Sequence, residues 1–303
     1  LAAAFASPLV LVVWQDFQSY SKGPAVEMEA AGVPHNAAPD IANLAKELGL
    51  TGSLEPLADP LMLLRFYMAR ANQVEAAAAM HSETVAWRED FDLKSVMASY
   101  GFGEQYHRSG TRLGNASSWS WAYQPQTKEA KRAAPYIFFG RLSATAPDGG
   151  PVLVWRAGTA DYVGFVREGL VDEMIRAFVA HFEDALQSGR AASLKAGRLI
   201  QARVIIDTSG FSIKNLQHLH ILRHIVHLIE RHFPEVSQSV TVVRAPWSVV
   251  SLYNIVTPWM SELVQKKVRI LGEDFQSAKG HCSAPMFTAL GVSLGNVYSL
   301  YMW

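Results

Sequence analysis

A single cysteine, Cys282, stands in the whole chain, which excludes an internal disulfide and a thiolate metal cage. Charge is scarce too: 18% of residues are charged, and 27 basic side chains cancel 27 acidic ones. The electrostatic footprint of a nucleic-acid binder is lacking, so no nucleic acid is expected as a partner. No apolar run reaches the roughly 20 residues of a membrane span, and the opening stretch "LAAAFASPLVLVVW" is interrupted by Pro8. GxSxG, P-loop, GxGxxG and zinc-protease motifs are all absent. "GHC" at 280–282 offers Cys282 no organised base. No catalytic residue and no cofactor are therefore expected.

Apolar material is plentiful, at 50% of the 303 residues, enough for two lobes sharing a core. Residues 1–36 read as an apolar arm and a Gly/Pro linker; the arm is expected to be buried or to lie against a membrane, with a targeting remnant as the competing reading. Residues 37–97 read as a helical lobe. Asp40 is expected to cap a helix through Leu48 stopped by Gly49, Asp59-Pro60 is a strong helix start, and Val74, Ala77, Ala78, His81, Val85 and Trp87 mark one helical face. Residues 98–135 are an irregular, aromatic insertion, in which the sequon at Asn115 carries little weight.

Residues 136–275 alternate strand and helix patterns. "YIFFGRLS" and "PVLVWRAG" flank a hairpin-like break, "LIQARVIIDTSG" reads as a buried strand, and "SVTVVRAP" and "KKVRIL" follow after helices. That order implies an α/β lobe with a mostly parallel sheet. "DTSG" at 207–210 is unpaired, so it does not supply the two carboxylates of an aspartic protease; Asp207 reads as a turn former. His220, His224 and His227 share a helix face with Gln217, Arg223 and Arg231, a solvated face more than a metal site. His218 projects to the apolar side, as a core histidine or a polar handle in a cavity. Residues 276–303 form an apolar tail.

Two segments carry a family likeness. "DPLMLLRFYMARANQVEAAAAMHSETVAWRED", and "VIIDTSGFSIKNL" followed by "IERHFPEVSQSVTVVRAPWSVVSLYNIVTPWMSELVQKKVRILG", resemble CRAL-TRIO (Sec14-like) lipid-binding proteins over about residues 40–275. The resemblance implies a helical lobe and an α/β lobe whose sheet floors a lipid cavity closed by a gate helix. It implies a gate at Trp247 to Trp259, with Trp247, Val250, Tyr253, Ile255 and Trp259 lining the cavity, to which the apolar-side position of His218 adds that residue. For an inositol lipid it implies headgroup contacts from Arg70, Glu235 and Lys267. Ala71 and Val264 depart from that pattern, and Ala202 and Val204 replace the hydroxyl positions used for phosphatidylcholine.

The carrier reading has its own physical basis. Two acyl chains of about 16 carbons cost on the order of 25 kcal/mol to expose to water, at about 0.8 kcal/mol per methylene. Only a closed apolar cavity offsets that, and a helix apolar on both faces suits its door; burial on both faces is the plainer reading. Function is accordingly expected to be non-enzymatic binding or transfer of a phosphoinositide or other hydrophobic ligand, peripheral to a membrane, in cytoplasm or organelle. The alternative is a structural subunit of a larger assembly, with protein partners at residues 1–14, 101–135 and 280–303.

Overall fold

In the computed structural model, residues 32–51, 57–102, 125–136 and 139–272 are described. The arm at 1–14, Trp119, Trp121 and Tyr123 of the insertion, Cys282 and the tail lie outside the described residues.

Among the described residues five helices precede the sheet. Helix α1 (Ala38–Glu47) is capped at Ala37, so Asp40 sits inside the first turn. There its carboxylate accepts the Tyr67 hydroxyl, a bond that pushes the tyrosine pKa up to about 12. Gly49 then takes φ +67, the left-handed stop that a side chain disfavours. Helix α2 (Pro60–Ala69) starts at Asp59, whose Oδ1 accepts Met62 N–H at 3.0 Å. Its residues from Leu61 to Tyr67 are all buried, including Arg65 at 1% exposure. Helix α3 (Val74–Asp90) buries Ala77, Ala78, Met80, His81 and Thr84. Val85, expected on that face, is exposed instead. Helix α4 (Leu93–Ser99) completes the lobe, and α5 (Lys128–Ala133) follows the insertion.

The sheet has strand order β1 (Phe139–Thr145), β2 (Pro151–Trp155), β3 (Ala202–Asp207), β4 (Ser237–Val243) and β5 (Val268–Ile270). The first pair is antiparallel and the others are parallel. Register places Leu153, Val204, Val240 and Val268 in one cross-strand row, with Trp155, Ile206, Val242 and Ile270 in the next row of the same face. That apolar face is the floor on which the later helices sit.

After α6 (Tyr162–Arg167) comes the long helix α7 (Val171–Ala196), ended by Gly197 at φ +61. It covers the β1 to β3 part of the floor, stacking Phe178 on Phe139 at 4.9 Å and setting its edge against Trp155 at 5.1 Å. A 3-10 turn (Ile213–His218) then leads into α8 (Leu219–His232). On α8, His220, His224, His227, Arg223 and Arg231 are exposed. Among the described residues no cluster of three His, Cys, Asp or Glu side chains could hold a metal. Helix α9 (Trp247–Val256) is shorter than its apolar run because Pro258, lacking an N–H, turns Thr257–Trp259 into a 3-10 turn. Helix α10 (Glu262–Gln265) leads into β5.

Charged groups staple the helical lobe to the rest. Arg88 grips the buried Glu183 of α7 with two bonds of 2.8 and 2.6 Å, and Arg190 reaches Asp59 at 2.5 Å. Arg141 pairs with Asp184 at 2.7 and 3.1 Å; burial pulls the arginine's pKa down to about 10. Trp87 of α3 stacks on His232 of α8, centroids 4.2 Å apart and planes 8° apart.

Burial also depresses His232, from the usual 6.5 to about 4. The unfolded chain therefore binds a proton that the folded one refuses, so stability is full above pH 6.5 and declines as pH falls toward 4. The loss is expected to reach up to about 3 kcal/mol. Thermal unfolding of wild type and His232→Gln at pH 7.5 and pH 5 checks this: the variant is expected to lose less stability between the two. An identical loss in both proteins would exclude His232 as the cause.

Candidate functional site

The amino-terminal edge of the parallel strands gathers a polar cluster around Glu235. This residue follows Pro234 and holds φ +48, a left-handed conformation that costs an ordinary side chain roughly 1–2 kcal/mol. Its surroundings hold it there. Its carbonyl accepts Arg65 Nη1 at 2.5 Å and Gln201 Nε2 at 2.9 Å. Its carboxylate accepts Lys267 Nζ at 2.8 and 2.7 Å and Gln201 Nε2 at 2.7 Å. Strained backbone fixed from several sides is a mark of functional positions. Glu235 and Lys267, named from the sequence, are thus brought together across β4 and β5.

Arg70 is not with them. It lies at the C-cap of α2, donates to the Ala69 carbonyl at 3.2 Å, and lies near the Glu83 carboxylate. Arg65 stands by Glu235 instead. Five residues along a helix rotate a side chain by about 140°, so the two arginines of the signature cannot face the same site. Arg65 also donates to the Ile200 carbonyl at 2.6 Å, an approach allowed by Gly189, where a Cβ would lie 3.3 Å from the guanidinium. Burial lowers its pKa to about 10, against the opposing charges of Asp59 and Glu235. Sequence reasoning missed Arg65 and Gln201. The available signal was an arginine inside the otherwise apolar helix "PLMLLRFYMA", since such a charge must find buried acceptors.

The apolar helix α9 has two different faces. Val249, Leu252 and Val256 are buried, and Val249 packs with Val242 and Ala245 against Ile206, Phe211, Val268 and Ile270 of the floor region. Trp247, Val250 and Ile255 point outward, at 76%, 48% and 48% exposure. This corrects the expectation that those three line an interior: the buried residues of α9 are Val249, Leu252 and Val256. Tyr253 and Trp259 are half-buried. The far end of the segment is fastened to α8, with Arg223 over the Trp259 ring at 5.8 Å and Glu230 accepting Ser261 N–H at 2.8 Å.

The opposite, carboxyl edge is closed by tight turns. Asp207 accepts Ser209 N–H at 3.1 Å and Arg244 Nε–H at 3.0 Å, the turn-forming role its position suggests. A Cβ at Gly158 would lie 2.0 Å from the Ser209 carbonyl, so only glycine lets the β2 loop meet this turn. His218, at the end of the 3-10 turn, has its Nε2 enclosed.

Helical lobe, mostly parallel sheet and apolar crossing helix recur in known proteins. The CRAL/TRIO domain family matches residues 142–285. Residues 142–285 are a CRAL-TRIO domain. The chain is 27% identical over 235 residues to the Sec14 cytosolic factor of Schizosaccharomyces pombe, covering 77% of this chain and 73% of that protein. It is 24% identical over 213 residues to a CRAL-TRIO domain-containing protein of Caenorhabditis elegans, and 24% identical over 238 residues to protein real-time of Aedes aegypti. It spans only 26% and 32% of those two proteins. The crystal structure of Sfh5 shares the fold, with TM-score 0.50 at 11% identity, covering 82% of this chain and 84% of that one. CRAL-TRIO proteins of the Sec14 type are lipid-binding and lipid-transfer proteins, not enzymes. Among the described residues no helix is long and apolar enough to cross a membrane.

Proposed function

We propose that this protein takes a lipid from a membrane surface, encloses it over the sheet's apolar face, and releases it when α9 swings aside. The carrying observation is α9 itself: Val249 packs on the floor region and Leu252 and Val256 are buried, while Trp247, Val250 and Ile255 meet solvent. A soluble helix ordinarily sets charge on its outer face. One whose outer face carries no charge and sets Trp247, Val250 and Ile255 beside Ser251 and Asn254 suits the exchange of one apolar surface for another, as a door between cavity and bilayer must.

At the amino-terminal edge, Glu235 and Lys267 form the headgroup end. Lys267 is already bonded to both Glu235 oxygens, so an arriving headgroup meets a donor and an acceptor side by side. That pairing suits a hydroxyl-rich anionic headgroup, such as an inositol phosphate, better than a bare phosphate. Arg65 and Gln201 act as positioning residues, since both bond the Glu235 carbonyl.

Mass spectrometry of lipids surviving native purification, and uptake from labelled vesicles, test the reading. A protein that carries no lipid and takes up none would overturn it. Lys267→Ala is expected to lower retention of phosphatidylinositol by at least about tenfold, the size of one charge-assisted hydrogen bond. Retention of an uncharged lipid should change little. Equal losses for both lipids would remove Lys267 from headgroup recognition.

A further inference from the structure

Helix α8 presents a face that neither the headgroup cluster nor the floor uses. His220, His224 and His227 stand on it at i, i+4 and i+7, all three exposed. At about 100° of turn per residue, they follow Arg223 within roughly 100° of arc. Arg223 fixes where that arc begins: its guanidinium carbon lies 5.8 Å from the centre of the Trp259 ring, and Glu230 beside it accepts the Ser261 N–H at 2.8 Å. The histidine face therefore starts at the seam between α8 and the far end of the α9 segment.

Helix stability gives no reason for these residues, because histidine ranks behind Lys, Glu, Gln and Arg at exposed helix positions. Charge does. Along the face the permanent charges cancel. Arg231 is paired with Glu83 of α3, and Arg223 is offset by Glu230. Of the elements packed against α8, the 3-10 turn brings the exposed Lys214, and His218, whose ring lies 6.3 Å from that of His220. Helix α7 brings Glu183, buried and gripped by Arg88. The turn Thr257–Trp259 brings no charge, and the exposed Glu262 just beyond it offsets Lys214. The histidines thus set the sign of the face. Histidine is the side chain whose charge changes between pH 5 and 8, so this face is balanced in mild alkali and gains up to three positive charges in mild acid.

The complement of such a face is a broad surface of fixed negative charge. Its border on Trp259, and through α9 on the outward Trp247, Val250 and Ile255, favours a bilayer, where aromatic and apolar side chains enter the acyl boundary beside cationic ones. We propose that the α8 face docks the protein on a bilayer carrying anionic lipid, and that mild acid strengthens this docking through His220, His224 and His227. The inference rests on the carrier reading and specifies the membrane toward which α9 opens and the condition that favours meeting it. An anionic bilayer reinforces the effect, because a surface potential of about −30 mV concentrates protons and lowers the local pH by roughly half a unit.

The test is flotation of the full chain with vesicles of phosphatidylcholine alone, or with about one-third phosphatidylserine, at pH 7.5 and pH 6. Each cation near such a surface strengthens binding about fivefold. Wild type is therefore expected to bind the anionic vesicles at least about tenfold more tightly at pH 6 than at pH 7.5, and phosphatidylcholine alone equally at both. The triple variant His220→Gln, His224→Gln, His227→Gln should match wild type at pH 7.5 and lose the rise at pH 6. His232 is intact in both proteins, so any acid loosening of the core acts on both alike and would raise binding to phosphatidylcholine as well. No rise in wild type, a rise that survives in the triple variant, or an equal rise on phosphatidylcholine alone overturns the docking face, while lipid uptake at pH 7.5 leaves the carrier reading standing. Uptake of no lipid by wild type overturns the two together.

Discussion

Arg65→Ala is expected to destabilise the fold by about 3–5 kcal/mol, the cost of breaking a fully buried charged network. The side chain is 1% exposed, and its two bonds, of 2.5 Å to the Glu235 carbonyl and 2.6 Å to the Ile200 carbonyl, tie α2 to the entries of β3 and β4. Truncation removes both and leaves a hole in a core lined by neighbours that cannot all collapse into it. Ser193 and Gln201 still serve the two carbonyls, which sets the effect within that range instead of above it. At about 2–3 °C per kcal/mol for a chain of this size, the midpoint of thermal unfolding should fall by roughly 10 °C. Arg65→Lys should recover only part, because an ammonium is a point donor and cannot span two carbonyls as a planar fork does. Arg70→Ala is the control: half-buried, with a single bond to its neighbour's carbonyl, it should change stability by under about 0.5 kcal/mol. A midpoint for Arg65→Ala within 2 °C of wild type would remove the staple from the account.

The contrast between these two arginines shows where sequence reading stops. Alternating strands and helices, the Asp59-Pro60 start and the Asp207 turn are local signals, set by caps, periodicity and turn chemistry within a few residues, and each is found in the structure. Glu235 and Lys267 were legible by resemblance alone; 32 residues of chain separate them, and only strand register brings them together. Arg65 stayed hidden because its partners, Ile200 and Glu235, are backbone carbonyls 135 and 170 residues away, and a carbonyl leaves no trace in a sequence. The buried Glu183 and Asp184 are similar. Adjacent acids in "AFVAHFEDALQSG" announce a need for counter-charge, yet nothing local names Arg88 and Arg141 as the suppliers. The faces of α9 were misassigned for the same kind of reason. A helix apolar all round has no pattern to orient it, so the sheet beneath it decides which residues turn inward.

That orientation yields the largest functional effect. Replacing Trp247, Val250 and Ile255 together with serine is expected to slow lipid transfer between vesicles by at least about tenfold while leaving the fold intact. The three side chains are the apolar part of the outward face of α9, at 76%, 48% and 48% exposure beside the exposed Ser251 and Asn254, so little native packing is lost and stability should move by no more than about 1 kcal/mol. Bilayer contact would lose far more, because each large apolar side chain transferred from water to the acyl boundary is worth about 1.5–3 kcal/mol when fully buried. Even a third of that, summed over three residues, exceeds the 1.4 kcal/mol that separates rates tenfold. The inward set makes the opposite case. Leu252→Ala removes a side chain at 8% exposure and should cost about 2–3 kcal/mol of stability. Unfolding midpoints and vesicle-to-vesicle transfer rates, measured on the same preparations, separate the two faces. If the outward triple variant transfers lipid at the wild-type rate, that face does not meet the bilayer and α9 is a wall. If transfer collapses with the unfolding midpoint unchanged, the outward face of α9 meets the bilayer and the door reading stands.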